Sequence, residues 1–157
     1  MDLSTIINDK TKAIQFINQN FTSNEDQSPL SPFAPLFMYR INRIIKDKSI
    51  SFNFYGIPSL TIDAYIKSKT EFTIYFSAKI KDMLGFNKIT NQLGYPVNIT
   101  VEDYDAGDFD FLNWRQDGFE IFASHLHREE ANILFTIGNI SFKELLKIDN
   151  IERSNGN

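Results

Sequence analysis

Residues 109–126 read FDFLNWRQDGFEIFASHL, and this stretch decides the fold class. Two runs of alternating apolar and polar side chains, 109–115 and 119–126, flank the tripeptide Gln116-Asp117-Gly118. Alternation with a period of two is the pattern of a half-buried β-strand. Asp-Gly between two such runs is the strongest short-range signal for a hairpin. The stretch therefore predicts two antiparallel strands joined by a tight turn.

The same alternation recurs on both sides of this hairpin. Short connections rich in Gly, Pro, Ser and Thr separate several of the runs, which is typical of an antiparallel meander. The sequence thus predicts a sheet that is mostly antiparallel. Its further strands are predicted over residues 49–55, 60–66, 72–76, 97–101 and 132–138.

Apolar residues at helical spacing predict four helices. Ser4 is a plausible N-cap for the first, and Pro35 suits the first turn of the second. The third stops at Gly94, and the pair Ser141 and Glu144 forms a capping box that opens the last. The predicted helices cover residues 4–21, 35–46, 87–93 and 141–148.

This order of elements predicts an α+β fold. Two N-terminal helices, a short middle helix and a C-terminal helix accompany a mostly antiparallel sheet. We expect helices to cover one face of the sheet and the other face to be free. One domain is predicted over residues 1–150, followed by a polar tail over residues 151–157.

Composition sets limits on the class of protein. The chain has 157 residues, of which 42% are hydrophobic and 14% aromatic, so it can bury a substantial core. It has no cysteine, which excludes disulfides and thiolate zinc sites. No secretory signal pattern and no run of about 18 apolar residues is present. We therefore expect a cytoplasmic protein that does not contact the membrane.

Charge is distributed unevenly along the chain. Residues 1–100 carry 11 basic and 8 acidic side chains, whereas residues 101–157 carry 5 and 12. The net charge of -4 is not that of a nucleic-acid-binding protein, so no direct nucleic-acid partner is expected. An acidic C-terminal half instead indicates a cation or a basic partner.

The acidic residues are densest between residues 102 and 118, where aromatic residues are interspersed with them. Carboxylates at Asp103, Asp105 and Asp108 resemble the start of a calcium-binding loop. Such a loop needs Gly at its sixth position and Glu at its twelfth, and here these positions hold Asp108 and Trp114. A solvated turn and a surface for a basic protein remain as alternatives. For the second alternative we predict charge contacts and aromatic anchors at Asp103, Tyr104, Asp105, Asp108, Asp110 and Trp114.

Two histidines offer a different chemistry. His125 and His127 would share one face of a strand, and Glu129 would share it if the strand continued. Two imidazoles and one carboxylate can hold iron or zinc. Histidines on a half-exposed strand that simply titrate are the commoner case, so we expect no cofactor. Neither a Gly-x-Ser-x-Gly nucleophile nor a Gly-rich phosphate loop occurs, and we expect no enzymatic activity.

The layout from residue 84 to residue 148 resembles bacterial toxin-immunity proteins of the contact-dependent growth inhibition type. The resemblance rests on a helix ending in Leu93-Gly94-Tyr95-Pro96, the acidic segment 101–105, the hairpin around Trp114-Arg115-Gln116-Asp117-Gly118, and a final strand and helix. It implies a small cytoplasmic protein that binds and blocks one cognate toxin. Many such toxins are nucleases with basic clefts, which an acidic inhibitor can occupy.

Two other functions stay open on the sequence alone. One is a metal-binding domain or enzyme that uses His125 and His127. The other is an oligomeric structural protein in which an exposed strand edge and aromatic side chains form a self-interface. The oligomeric state itself is not predicted by the sequence.

Overall fold

A computed structural model describes residues 1–24, 41–126, 129–141 and 143–144 of the chain. For residues 125, 126 and 129–131 it describes the backbone alone. These residues form an α+β fold around one large antiparallel sheet, in agreement with the predicted fold class. Among the described residues, no helix is long and apolar enough to cross a membrane.

The sheet has seven strands in the order β1-β2-β5-β6-β9-β8-β7, and every neighbouring pair is antiparallel. A separate pair, β3 and β4, forms a two-stranded sheet. The strands are β1 (Phe21–Ser23), β2 (Arg43–Ile45), β3 (Asn53–Phe54), β4 (Ile57–Pro58), β5 (Thr61–Ile66), β6 (Phe72–Lys79), β7 (Phe111–Gln116), β8 (Phe119–Leu126) and β9 (Glu129–Gly138).

The predicted hairpin is confirmed. β7 pairs with β8 from Phe111 opposite Ser124 to Gln116 opposite Phe119, which leaves a two-residue turn. Gly118 in that turn has φ +84°, a conformation that costs a residue with a side chain about 1 kcal/mol or more. The predicted strands over 60–66, 72–76 and 132–138 are also present, as β5, β6 and β9.

The N-terminal segment contains a short 3₁₀ turn and one helix rather than a single helix from residue 4 to residue 21. The 3₁₀ turn is Leu3–Thr5, and α1 covers Lys10–Asn20. Asp9 accepts hydrogen bonds from the amides of Thr11 and Lys12 and so acts as the N-cap of α1. The predicted cap at Ser4 is wrong because Asp2 caps the 3₁₀ turn and accepts a hydrogen bond from the Ser4 amide, while Asp9 caps α1.

Asp2 connects this segment to the turn between β3 and β4. Its carboxylate accepts hydrogen bonds from Ser4 and from the backbone amides of Tyr55 and Gly56, at 2.9 and 2.8 Å. Tyr55 and Gly56 have φ +49° and +79°, as in a type I′ turn. Partial burial raises the pKa of Asp2, but these hydrogen bonds outweigh it and leave the pKa below its usual value.

The predicted helix over residues 35–46 is wrong over its described part. Residues 35–40 lie outside the described residues, and Arg43–Ile45 forms strand β2. Two β-branched residues, Ile44 and Ile45, favour a strand, and β2 is paired on both sides. The side-chain amide of Asn42 fixes the register of β2 on β5, because it exchanges two 2.9 Å hydrogen bonds with the backbone of Ile66.

Two further strand predictions need correction. The predicted strand over residues 49–55 is reduced to the two residues of β3. The predicted strand over residues 97–101 does not form, and Val101–Asp105 is instead the short helix α3. The predicted middle helix is present as α2, Met83–Leu93, which begins four residues early at its N-cap Asp82 and ends at Gly94 as predicted. Of the predicted C-terminal helix, the described residues 143 and 144 are helical.

The main core lies on one face of the sheet. Phenylalanine rings from three strands, Phe54, Phe76 and Phe135, pack within 6.2 Å of one another, and α1 and α2 cover them with Phe16, Ile17 and Ile89. The second face is also buried at its centre, where Tyr75, Phe122 and Leu134 form a smaller apolar cluster. The prediction that this face is free is therefore wrong for its central strands.

Candidate partner-binding surface

The short helix α3 shapes the acidic segment. Thr100 is its N-cap and accepts a hydrogen bond from the amide of Asp103 at 3.1 Å. At the other end, the amides of Gly107 and Asp108 donate to the carbonyls of Tyr104 and Asp103. This is a Schellman motif, in which Gly107 takes φ +72°. Caps at both ends explain how five residues form a helix where the apolar alternation predicts a strand.

α3 and the segment before it lie along the outer edge of β7. The amide of Val97 donates to the carbonyl of Asn113 at 2.7 Å. The side chain of Asn98 accepts from the amide of Asn113 and donates to the carbonyl of Phe111. These three bonds satisfy backbone groups of an edge strand and hold the acidic segment beside the predicted hairpin.

Tyr104 and Trp114, which the sequence predicts as anchors for a partner, are core residues. Their side chains are 2% and 1% exposed. A buried ring cannot enter a partner's pocket unless the core opens, so the structure contradicts this part of the site prediction. Both belong to the main apolar cluster, and Tyr104 stacks on Phe109 with 6.2 Å between ring centroids.

A chain of hydrogen bonds explains why these two polar rings are buried. The indole N–H of Trp114 donates to Thr90 Oγ1 at 3.3 Å, and the Thr90 hydroxyl donates to the Tyr104 hydroxyl at 2.7 Å. Tyr104 then donates to Asn87 Oδ1 at 2.7 Å. We call these four side chains the Tyr104 relay. It ties β7 to α2 and α2 to α3, and so fixes the position of the acidic helix.

The surroundings of Tyr104 also change its ionisation. Burial raises the pKa of the Tyr104 hydroxyl above its usual 10.0, while the hydrogen bond with Thr90 lowers it in part. The neighbouring groups Tyr95 and Asp105 add a smaller upward contribution to this pKa. The hydroxyl is therefore neutral at physiological pH and serves as a hydrogen-bonding group.

The four aspartates of the predicted site are exposed, as a charged contact surface requires. Residues 101–110 contain five acidic side chains and no basic one. None of the five forms an ion pair with a described lysine or arginine. They are held together on α3 and the loop after it, where their negative potentials add. The exposed acidic side chains are Glu102, Asp103, Asp105, Asp108 and Asp110.

Exposed apolar side chains accompany these carboxylates. The backbone amide of Val97 and the side chain of Asn98 hydrogen-bond to β7. The Phe111 ring on that strand stacks on Phe122 with 5.0 Å between centroids, and Tyr95 packs edge-on against Tyr104 at 5.4 Å. Apolar groups beside charges are typical of a protein-protein contact. The exposed fractions are 48% for Tyr95, 57% for Val97, 43% for Val101 and 42% for Phe111. We call these four apolar and five acidic side chains the α3 surface.

Sequence reasoning missed these four apolar residues. The sequence predicts Val97 and Val101 in a strand, where alternation would point them into the core. Phe111 lies on the face of β7 opposite Leu112, which is fully buried, so the alternation of the hairpin already indicated that one of the two is outside. Thr100 and Gly107 are the residues from which a helix over 101–105, and so the exposure of Val101, could have been predicted.

The histidine site stays a prediction. The backbone of His125 lies in β8, its side chain lies outside the described residues, and His127 lies wholly outside them. The pairing of β8 with β9 shifts by a bulge between His125 and Leu126. Within the described part of the chain, no group of three His, Cys, Asp or Glu side chains is placed to hold a metal ion.

Comparison with known proteins finds no matching family model, no matching curated protein and no matching solved structure. The resemblance to toxin-immunity proteins therefore stays a prediction from the sequence.

Proposed function

We propose that this chain is a non-enzymatic immunity protein that binds a cognate bacterial toxin through the α3 surface. The observation that carries the proposal is the set of five exposed carboxylates, which form no ion pair with the described lysines and arginines, beside four exposed apolar side chains. The sequence resemblance supplies the class of partner. A cytoplasmic location, where a toxin that enters the cell would be met, is part of the same proposal.

The charge of the α3 surface favours a basic partner. Carboxylates that repel each other on a free surface become favourable when lysine or arginine side chains lie opposite them. A nuclease presents such a surface, since its cleft is built to bind phosphate. Long-range attraction between the two surfaces would also speed their encounter, which a neutraliser of a lethal enzyme needs.

The apolar residues of the α3 surface replace the anchors predicted from the sequence. Tyr95, Val97, Val101 and Phe111 can bury apolar area against a toxin while the acidic side chains surround them. In most interfaces a few central apolar or aromatic groups supply most of the affinity, and the charged rim sets rate and specificity. We assign these two roles to the two parts of the α3 surface.

The binding test uses the C-terminal domain encoded by the gene directly upstream as the candidate toxin. The variant Asp105→Lys/Asp108→Lys reverses two charges. It keeps Glu102 and Asp103 in the first turn of α3, where negative charges stabilise the helix N-terminus. We expect its affinity for the toxin domain to fall by at least about tenfold and protection of growing cells to fall with it.

A matched control separates location from net charge. Glu71→Lys/Asp117→Lys also raises the net charge from -4 to zero, at two residues outside the α3 surface. The control should bind and protect as the unaltered chain does. If both double variants bind equally well, or if the upstream domain neither kills cells nor binds this chain, the proposed function is wrong.

A further inference from the structure

The α3 surface is built on two elements of the fold. The exposed carboxylates of Glu102, Asp103 and Asp105 belong to α3, whereas Phe111 belongs to β7 and the amide of Val97 is bonded to that strand. A partner that contacts both parts at once needs them at one distance and one angle. Side chains that must first be brought into that arrangement reduce the affinity of the complex. The position of α3 relative to β7 therefore decides how well the surface binds.

The short helix α3 is held in place mainly through one buried ring. It has five residues, and a helix of fewer than about 12 residues is marginal in water without tertiary packing. Tyr104 is the one buried residue of α3, and it lies between Asp103 and Asp105 in the sequence. Tyr95, an exposed member of the α3 surface, packs edge-on against the Tyr104 ring with 5.4 Å between centroids. The same ring thus supports both acidic and apolar parts of the surface.

The hydroxyl end of the Tyr104 ring is connected to β7 through Thr90. The Thr90 hydroxyl donates to the Tyr104 hydroxyl at 2.7 Å and accepts from the indole N–H of Trp114 at 3.3 Å. Trp114 belongs to β7, so one hydroxyl on α2 links the two elements that carry the α3 surface. Asn87, which accepts from Tyr104, makes no hydrogen bond to β7 within the part of the chain that the structure describes.

Resting on the proposed toxin contact, we propose that Thr90 is a positioning residue for toxin binding. Thr90 carries no charge and is not a member of the α3 surface. Its hydroxyl holds α3 where the carboxylates and the exposed apolar side chains meet the toxin together. Without that hydroxyl the charges still attract the toxin, but α3 must be ordered when the complex forms. The complex should therefore dissociate faster.

The test compares the binding kinetics of Thr90→Val with those of the unaltered chain, with the C-terminal domain encoded by the upstream gene as the probe. Valine keeps the shape of threonine and lacks the hydroxyl. We expect dissociation to become about threefold faster or more. The association rate and its dependence on salt should be kept, because every charge is kept. Tyr104→Phe removes the same hydrogen bond from its other end, so it should give the same result and serves where Thr90→Val does not fold.

Two controls separate positioning from a general loss of stability. Thr90→Ser keeps the hydroxyl and should dissociate from the probe at the rate of the unaltered chain. Asp2→Asn weakens hydrogen bonds at the turn between β3 and β4, outside the α3 surface, and should also leave the dissociation rate unchanged. A smaller folded fraction lowers the amount of chain that binds without changing how fast the complex dissociates. Circular dichroism of each variant verifies the fold.

Dissociation at one rate for the unaltered chain, Thr90→Val and Tyr104→Phe would overturn the role of Thr90. So would a Thr90→Ser chain that dissociates as fast as Thr90→Val. If Asp105→Lys/Asp108→Lys still weakens binding in the same assay, either result leaves the proposed toxin contact in place. A probe that does not bind the unaltered chain would overturn both proposals together.

Discussion

The Tyr104 relay leads to a prediction about stability that can be worked out bond by bond. Tyr104→Phe removes one oxygen and with it two hydrogen bonds of 2.7 Å, to Asn87 and from Thr90. A neutral hydrogen bond contributes about 0.5–1.5 kcal/mol net. Asn87 and Thr90 are only half-buried, so water can partly replace the lost partner. We therefore expect the free energy of unfolding to fall by about 1–2 kcal/mol.

Urea denaturation, followed by the fluorescence of the single Trp114 inside the relay, measures this change. Tyr95→Phe is the matched control. Its ring is half exposed, and its hydroxyl makes no hydrogen bond with the described residues, so a change within about 0.5 kcal/mol is expected. Equal effects of the two substitutions would refute the relay as a stabilising connection.

A double-mutant cycle tests whether the relay acts as a unit. Thr90→Val removes the middle hydroxyl, which bonds both Trp114 and Tyr104. If the bonds depend on one another, Thr90→Val and Tyr104→Phe together should cost less than the sum of the two by about 0.5 kcal/mol or more. Strict additivity would mean that the two hydroxyls stabilise the fold independently.

Three further results are expected elsewhere in the molecule. Asp2→Asn should lower the free energy of unfolding by about 1–2 kcal/mol at pH 7, because it weakens charge-assisted hydrogen bonds to two turn amides. Folding lowers the pKa of Asp2 below 3.8. The difference between the variant and the unaltered chain in urea denaturation should therefore vanish as the pH falls through that lowered pKa. Thr73→Val should be neutral or should stabilise by up to about 1 kcal/mol in thermal unfolding, since the buried Thr73 hydroxyl has no hydrogen-bond partner in the part of the chain that the structure describes. A loss above that size would reveal a partner for the hydroxyl. Elemental analysis of the purified chain should find no stoichiometric iron or zinc, and metal that His125→Ala removes would restore the metal-site alternative.

Much of the sheet could be predicted from the sequence because its central strands alternate clearly. The Asp117-Gly118 turn fixes the β7–β8 register, and β5, β6 and β9 follow the same period of two. Two adjacent β-branched residues, Ile44 and Ile45, fit either a helix stripe or a strand. Pairing on both sides of β2 decided between them, and that pairing depends on residues distant in sequence.

The candidate site was predictable in its charge but not in its aromatic residues. Dense carboxylates without nearby cations remain exposed wherever the backbone runs, because burying an unpaired charge is costly. Tyrosine and tryptophan are suited to both a core and an interface. Tyr104 and Trp114 are core residues because Thr90 on α2 supplies both rings with a hydrogen-bond partner inside the protein.

The rate of association with the toxin domain, measured against salt concentration, shows whether the α3 surface attracts the toxin. If the α3 surface steers the encounter, the rate constant for the unaltered chain should fall about tenfold or more between about 0.05 M and 0.5 M salt. Asp105→Lys/Asp108→Lys should start slower by a similar factor and should lose most of this salt dependence. An association rate that is the same for both chains at every salt concentration would mean that the α3 surface does not steer the encounter.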